Sequence, residues 1–400
     1  MPRINPKIAK WARESAGLSV EEAAKRIGLA DNLKVTAVAK LLSLEDGTKE
    51  PSRSVLRKMA HAYHRPLLVF YLAEPPRKSP RGKDFRTLPA SVSPLENALV
   101  DALIRDVRAR QETVFEALIL QDEAVEQQLV SSLSMAAGKK TAVARLVQSL
   151  NTTREEFRAA SNPEGAFRLL RTRAERAGAY VVLQGDLGSH HTAIGVDVFR
   201  GFALADKVAP FIVINDHDSP SAWSFTLLHE FVHLLLGETG VSGSRSETAV
   251  ERFCNEVASD FLLDDIELQS LNVRDHTSVT TAQADITAFA RPRRVSRTMV
   301  AYRLLRAGLI STNYWKALHQ SFRELWLRNR EIQRSKVREA ESGPNYFIVR
   351  RHRVGNALIE FVRRTMGSGA LTTTEAARVL AVSPQSVGVV IGGATADRAA

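Results

Sequence analysis

Four hundred residues with 44% hydrophobic content are enough for two or three domains with ordinary cores. The single cysteine, Cys254, excludes an internal disulfide framework and fits a reducing compartment. No window of 18 apolar residues occurs, and no apolar stretch follows the first basic residues. Neither a membrane span nor a secretory signal is therefore expected, and a cytoplasmic location is. The net charge of +11 is unevenly spread: residues 1–90 carry 18 Lys+Arg against 9 Asp+Glu, and residues 291–400 carry 20 against 7. The middle holds 17 against 28. An acidic centre between basic ends suggests a polyanionic partner, although solvated helix faces account for many such excesses.

In chain order, Ile8 to Ala16 reads as a short helix. Ser19 with Glu22 makes a capping box that opens Val20 to Ile27, and Gly28 closes it. Val35 to Leu44 follows as a third helix, and Pro51-Ser52 starts a fourth that runs to Tyr63. G-L-S-V-E-E-A-A-K-R-I-G with L-E-D-G-T-K-E-P-S resembles helix-turn-helix domains of the Cro and phage-repressor type. The resemblance implies that the third helix enters the major groove of double-stranded DNA. Lys34, Thr36, Lys40 and Ser43 are then the candidate DNA contacts. This is a thin reading head, with no arginine suited to guanine, and Leu44 stands where that family usually has an aromatic residue. A scaffold kept for protein contacts is the competing reading.

Residues from Arg65 to Leu72 lead into a proline-rich basic stretch, Glu74 to Lys83, read as a linker or arm. Helices between Leu95 and about Gln148 connect it to the next domain. Asn162-Pro163 starts a long helix ending at Gly178, and Tyr180 to Leu183 reads as a strand. So does Pro210 to Ile214, either as a core strand or, if its edge is open, as a template for an added peptide strand.

Ser224 to Leu235 contains H-E-x-x-H within an apolar helical pattern. Phe225, Leu228, Val232 and Leu235 form the stripe that buries it. Positions i and i+4 share a face, so His229 and His233 can present two imidazoles to one metal ion, with Glu230 beside it. The bland alternative is a surface helix with two incidental histidines. A catalytic zinc site needs a third protein ligand, and the second apolar helix, Val250 to Leu263, supplies one. Glu251 is the choice, with Asn255 on the same edge as a partner that orients a ligand. Glu256 and Asp260 are the competing carboxylates, read as solvated face charges. Cys254 lies on the apolar face and reads as a small buried hydrophobe.

His229 to His233 followed by E-x-x-C-N-x-V-A-x-x-F-L-L resembles the ImmA/IrrE family of zinc metallopeptidases. The run Asp197 to Asp206 with Ala209 to Asn215 does so as well. The resemblance implies one zinc ion per chain on His229, His233 and Glu251, and Glu230 as general base. It departs at Asp264-Asp265, where the family often has proline, which concerns the helix end. Zinc brings the pKa of its water toward neutrality, and Glu230 would take that proton and deliver it to the leaving amine. Tyr180, His190, His191 and His217 are polar candidates for bonding the oxyanion, and the sequence does not choose among them.

The C-terminal third is less legible. Val295 to Leu305 looks like the family's post-catalytic helix, and Phe322 to Arg338 is a strongly basic helix. Leu371 to Ser383 looks like a second helix-turn-helix hairpin, read as an end cap, and the tail after Ile391 as disordered. The expected fold is mainly α with a small β-sheet. It comprises a helix-turn-helix bundle (1–75), a connector (76–149), an α+β zincin-like domain (150–270), a C-terminal helical domain (285–390) and a tail (391–400).

Two functional classes follow. The first is a zinc endopeptidase that the helix-turn-helix places on DNA or on its target. The resemblance implies repressor-like protein substrates, in stress-response, mobile-element or toxin–antitoxin settings. The second is a DNA-binding regulator, antitoxin-like with a toxin partner, that uses the peptidase fold only to bind protein. A homodimer is the usual state for readers of palindromic sites.

Overall fold

The computed structural model describes residues 3–76, 93–242, 248–339 and 345–392, and the chain divides into two compact units. The stretch from Arg77 to Lys83, Asp84-Phe85-Arg86 and the tail from residue 393 lie outside the described residues. No described helix is long and apolar enough to cross a membrane.

The first unit comprises Met1–Arg81, Leu88–Val107 and Asp186–Ile194. Its helices are α1 (Pro6–Ser15), α2 (Val20–Ile27), α3 (Ala37–Glu45) and α4 (Arg53–Ala62), followed by a 3-10 turn, Leu67–Tyr71. The capping box forms as its spacing requires: Ser19 accepts from the Glu22 amide while Glu22 reaches back to the Ser19 amide. Gly28 ends α2 in the left-handed conformation, φ 71°. The third helix begins at Ala37 rather than Val35, because Thr36 is its N-cap and accepts from the Ala39 amide. Residues 28–36 separate α2 from α3, a longer connection than the three or four residues of a simple helix-turn-helix. Ala12, Ala23, Ile27, Leu41, Leu56, Met59 and Phe70 form the core. Arg13 on α1 pairs with Glu45 at the end of α3 through two hydrogen bonds of 2.8 and 3.0 Å, both side chains buried.

Helix α5 (Pro94–Leu120) belongs to the first unit up to Val107. The second unit holds Gly82–Thr87, Arg108–Gly185 and Gly195–Ala400. Here α6 (Gly138–Leu150), α7 (Arg154–Arg158) and α8 (Pro163–Arg176) precede strands β1 (Tyr180–Leu183), β2 (Gly201–Leu204) and β3 (Phe211–Ile214). Helix α9 (Pro220–Leu236) and the short β4 (Gly240–Ser242) follow, then α10 (Ala249–Leu262). The sheet runs β1-β3-β2-β4, with β1 parallel to β3 and the other pairs antiparallel. β3 is therefore paired on both sides, a core strand whose four residues are all buried. The open-edge reading of Pro210 to Ile214 is corrected: its backbone donors and acceptors are already used.

Helix α9 starts at Pro220, four residues before the apolar pattern suggested, because proline suits a first helical turn. It is wedged between α8 and α10 and lies on β2 and β3. Its burial is consequently wider than one stripe: from Ala222 to Leu235 only Phe225 is not buried. The core around it extends past residues 150–270, taking in Leu129, Leu146 and Leu150 before them and Val300, Leu304, Leu318 and Phe322 after them.

The chain continues through α11 (Asp265–Gln269), α12 (Val279–Ala290), α13 (Arg297–Arg306) and α14 (Thr312–Glu339). The basic helix thus starts ten residues before Phe322, which is 2% exposed and packs in the core with Leu318. Four more α-helices follow among the described residues: α15 (Tyr346–Val354), α16 (Asn356–Gly367), α17 (Thr373–Leu380) and α18 (Val387–Gly392). α15 and α16 lie against β1. Arg350, Arg351 and Arg363 donate to the carbonyls of Leu380, Val390 and Ile391. Part of the C-terminal basic excess is therefore spent on closing the ends of α17 and α18, which suits an end cap.

Candidate metal centre

Helix α9 presents His229, Glu230 and His233 on its buried length, and α10 presents Glu251 in its first turn. Thr248 caps α10 by accepting from the Glu251 amide, 3.2 Å. At the other end of α10, Arg154 donates to the carbonyls of Asp260 and Phe261, and Arg158 to that of Leu262. These arginines satisfy carbonyls that a helix end leaves open, and so hold α10 in place. Where the proline of the resembling family would stand, Asp264 accepts from the Glu267 amide and opens α11.

The ligand-type atoms of His229, His233 and Glu251 converge. The two Nε2 atoms are 3.1 Å apart, and they lie 3.3 and 3.2 Å from the two carboxylate oxygens of Glu251. A tetrahedral ion with bonds of about 2.0–2.2 Å places neighbouring donors roughly 3.4 Å apart, so the spacing fits one zinc ion. His229 and Glu251 are each 4% exposed and His233 is fully buried, which argues against incidental surface histidines. Burial works against the charged form of Glu251, but His229 and His233 outweigh it and lower its pKa to about 2. The site thus keeps an anionic oxygen beside two imidazoles across the physiological range. Asn255, one turn along α10, lies close enough to His229 to favour its charged form.

The competing carboxylates are engaged elsewhere. Glu256 pairs with Arg306 at 2.7 Å, and Asp260 pairs with Lys139 at 2.8 Å and with Arg303. They point to the flank of α10 away from Glu251, because the helical turn separates them. Cys254 is fully buried, and burial with Glu251 and Glu230 nearby pushes its thiol pKa well up, so it stays protonated and inert.

Glu230 is fully buried next to His229. Sequence reasoning missed the residue that makes room for it. Gly201, first in β2, faces the Glu230 carboxylate: a Cβ built there would lie 2.9 Å from Glu230 Oε1, 2.7 Å from Thr226 Cγ2 and 3.0 Å from the Val213 carbonyl. The sequence signal was only a glycine opening an apolar strand. Gly201→Ala should push the carboxylate off its position and lower turnover about 100-fold, the scale of a 1 Å misplacement. Zinc content, measured on the same preparation, should stay unchanged.

The Tyr180 ring packs against Phe211 and Phe361, and burial raises its pKa to about 12. His217 sits in the turn after β3, its amide bonded to Asn215 Oδ1. His190 and His191 stack on each other, 3.8 Å between ring centroids, in the Asp186–Ile194 segment of the first unit. Of the expected DNA contacts, Thr36 caps α3, Lys40 Nζ donates to the Ala30 carbonyl and Ser43 Oγ donates to the Lys40 carbonyl, while Lys34 is exposed.

Comparison of the chain with curated proteins and with solved structures finds no match. Residues 181–305, from β1 through nearly all of α13 and with every residue of the metal centre among them, match the model of the peptidase family described as the IrrE N-terminal-like domain.

Proposed function

We propose that this chain is a zinc-dependent endopeptidase that cuts a protein regulator, a DNA-bound repressor or similar transcription factor. Its setting would be a stress response, a mobile element or a toxin–antitoxin pair. The observation that carries the reading is a carboxylate, Glu230, beside a buried His-His-Glu cluster, inside a segment that matches a peptidase family. His229, His233 and Glu251 would hold the ion, with Asn255 orienting His229. Bound zinc would supply Lewis acidity toward a scissile carbonyl and a water acidified toward neutral pH. Glu230 would take a proton from the attacking water at its carboxylate and return it to the departing amine. The burial of Glu230 behind Gly201 of β2 would keep bulk water from competing for that proton.

The N-terminal helices, read as a helix-turn-helix domain over residues 1–75, would bring the enzyme to double-stranded DNA where its substrate sits, in the cytoplasm and as a homodimer. Residues 150–270 would form the catalytic domain, flanked by the connector at 76–149 and the helical domain at 285–390. One observation favours a second reading, a DNA-binding regulator that uses the peptidase fold without catalysis: the metal centre is almost wholly enclosed. Glu230 speaks against it, since a binding module has no physical need of that carboxylate.

The test is metal content followed by cleavage. About one zinc per chain, with chelator-sensitive cutting of a co-expressed repressor that zinc restores, is the expected result. A protein that takes up no metal when zinc is supplied would refute the enzyme reading.

A further inference from the structure

The helix assigned to DNA reading offers little to a polyanion. Thr36, Lys40 and Ser43 are tied into local hydrogen bonds, Asp31 accepts from the first amide of α3, and Asp46 stands at its end. Its outer surface shows Leu42, 46% exposed, and the loop before it shows Leu33 fully exposed. Helix α4 is built differently. Its ten residues, R-S-V-L-R-K-M-A-H-A, include no acid, and Arg53, Arg57, Lys58 and His61 are all exposed. Arg53, Arg57 and His61 stand four residues apart and form one ridge about 12 Å long.

The ridge continues onto α2, which packs against α4. Lys25 and Arg26 occupy the last turn of α2 and are exposed. Lys58 Nζ reaches to within 3.7 Å of where a Cβ on Gly28 would sit. None of Lys25, Arg26, Arg53, Arg57 or Lys58 makes an ion pair among the described residues. Like charges held together without counterions are what a row of phosphates relieves, and one DNA strand presents about three or four phosphates over 12 Å of axis.

We propose that the α4 ridge, with the end of α2, is the surface that holds duplex DNA, through its phosphates and without reading sequence. This deepens the proposed DNA targeting and rests on it. Binding by this face would let the protein search DNA for a bound protein substrate rather than occupy an operator of its own.

The experiment uses the full chain and a labelled duplex of arbitrary sequence, titrated by fluorescence anisotropy at several salt concentrations. Variants are R53Q/R57Q/K58Q on the ridge and K34Q/K40Q around α3. Each neutralised phosphate contributes about −0.9 to the slope of log K against log salt. The ridge variant should weaken binding at least tenfold and flatten the slope by about 2–3, with an unchanged melting temperature and zinc content. K34Q/K40Q should change neither by much. Loss of binding in K34Q/K40Q with the ridge variant unaffected would overturn this inference and leave DNA targeting standing. A preference for single-stranded RNA over the duplex would also overturn it. No binding by the unaltered protein would overturn both this inference and the targeting, while leaving the peptidase reading to the metal test.

Discussion

Glu230→Gln is expected to keep one zinc per chain and the wild-type melting temperature while cleavage falls by about 10²–10⁴-fold, the scale of a lost general base. The amide fills the volume of the carboxylate beside Gly201 and His229 but cannot accept the proton. Because His229, His233 and Glu251 are untouched, their ligand-type atoms 3.1–3.3 Å apart stay where they are. The measurement is a cleavage time course on metal-loaded protein, with zinc content read from the same sample. Full activity in the zinc-loaded Glu230→Gln variant would remove Glu230 from the chemistry and assign the proton transfer to another group.

Glu251→Ala should abolish stable zinc binding, an effect far larger than that of Asn255→Ala. The first removes one of the three proposed ligands and leaves two buried imidazoles without their anionic partner. The second removes only a polar neighbour of His229, proposed to orient it, for which loss of about 10–100-fold in affinity is the usual scale. Competition with a chelator of known affinity separates the two. A Glu251→Ala protein that holds zinc as the wild type does would return the third ligand to an open question. Glu256→Gln and Asp260→Asn, whose parent residues are paired with Arg306, Lys139 and Arg303, should leave affinity nearly unchanged and serve as controls.

The local parts of this molecule were legible because local rules govern them. The capping box at Ser19 and Glu22, the left-handed Gly28, the start of α8 after Asn162 and the strand Tyr180–Leu183 stand where spacing and residue type put them. The i, i+4 histidines needed only the pitch of a helix. Legibility failed where a residue's role depends on chain far away. Burial right around α9 required α8, α10 and the sheet together, and an apolar stripe alone understated it. The basic block Phe322 to Arg338 read as a solvated helix face, yet its first residue, Phe322, packs in the core with Leu318. Lys40 and Ser43 read as free polar groups, but each found a backbone carbonyl nearby.

By itself the sequence determined the chemistry on offer: two imidazoles and a carboxylate on one helix, more carboxylates on a second, and cations gathered at both ends. Helical periodicity and residue type suffice for that, since both are properties of a few neighbouring residues. Only the tertiary structure decided that β3 has no free edge, where the competing carboxylates Glu256 and Asp260 are paired, and that Gly201 opens the space beside Glu230. Those outcomes depend on how α10 and β2 are held against α9, and that packing is set by arginine caps and core contacts between residues tens to more than a hundred positions apart.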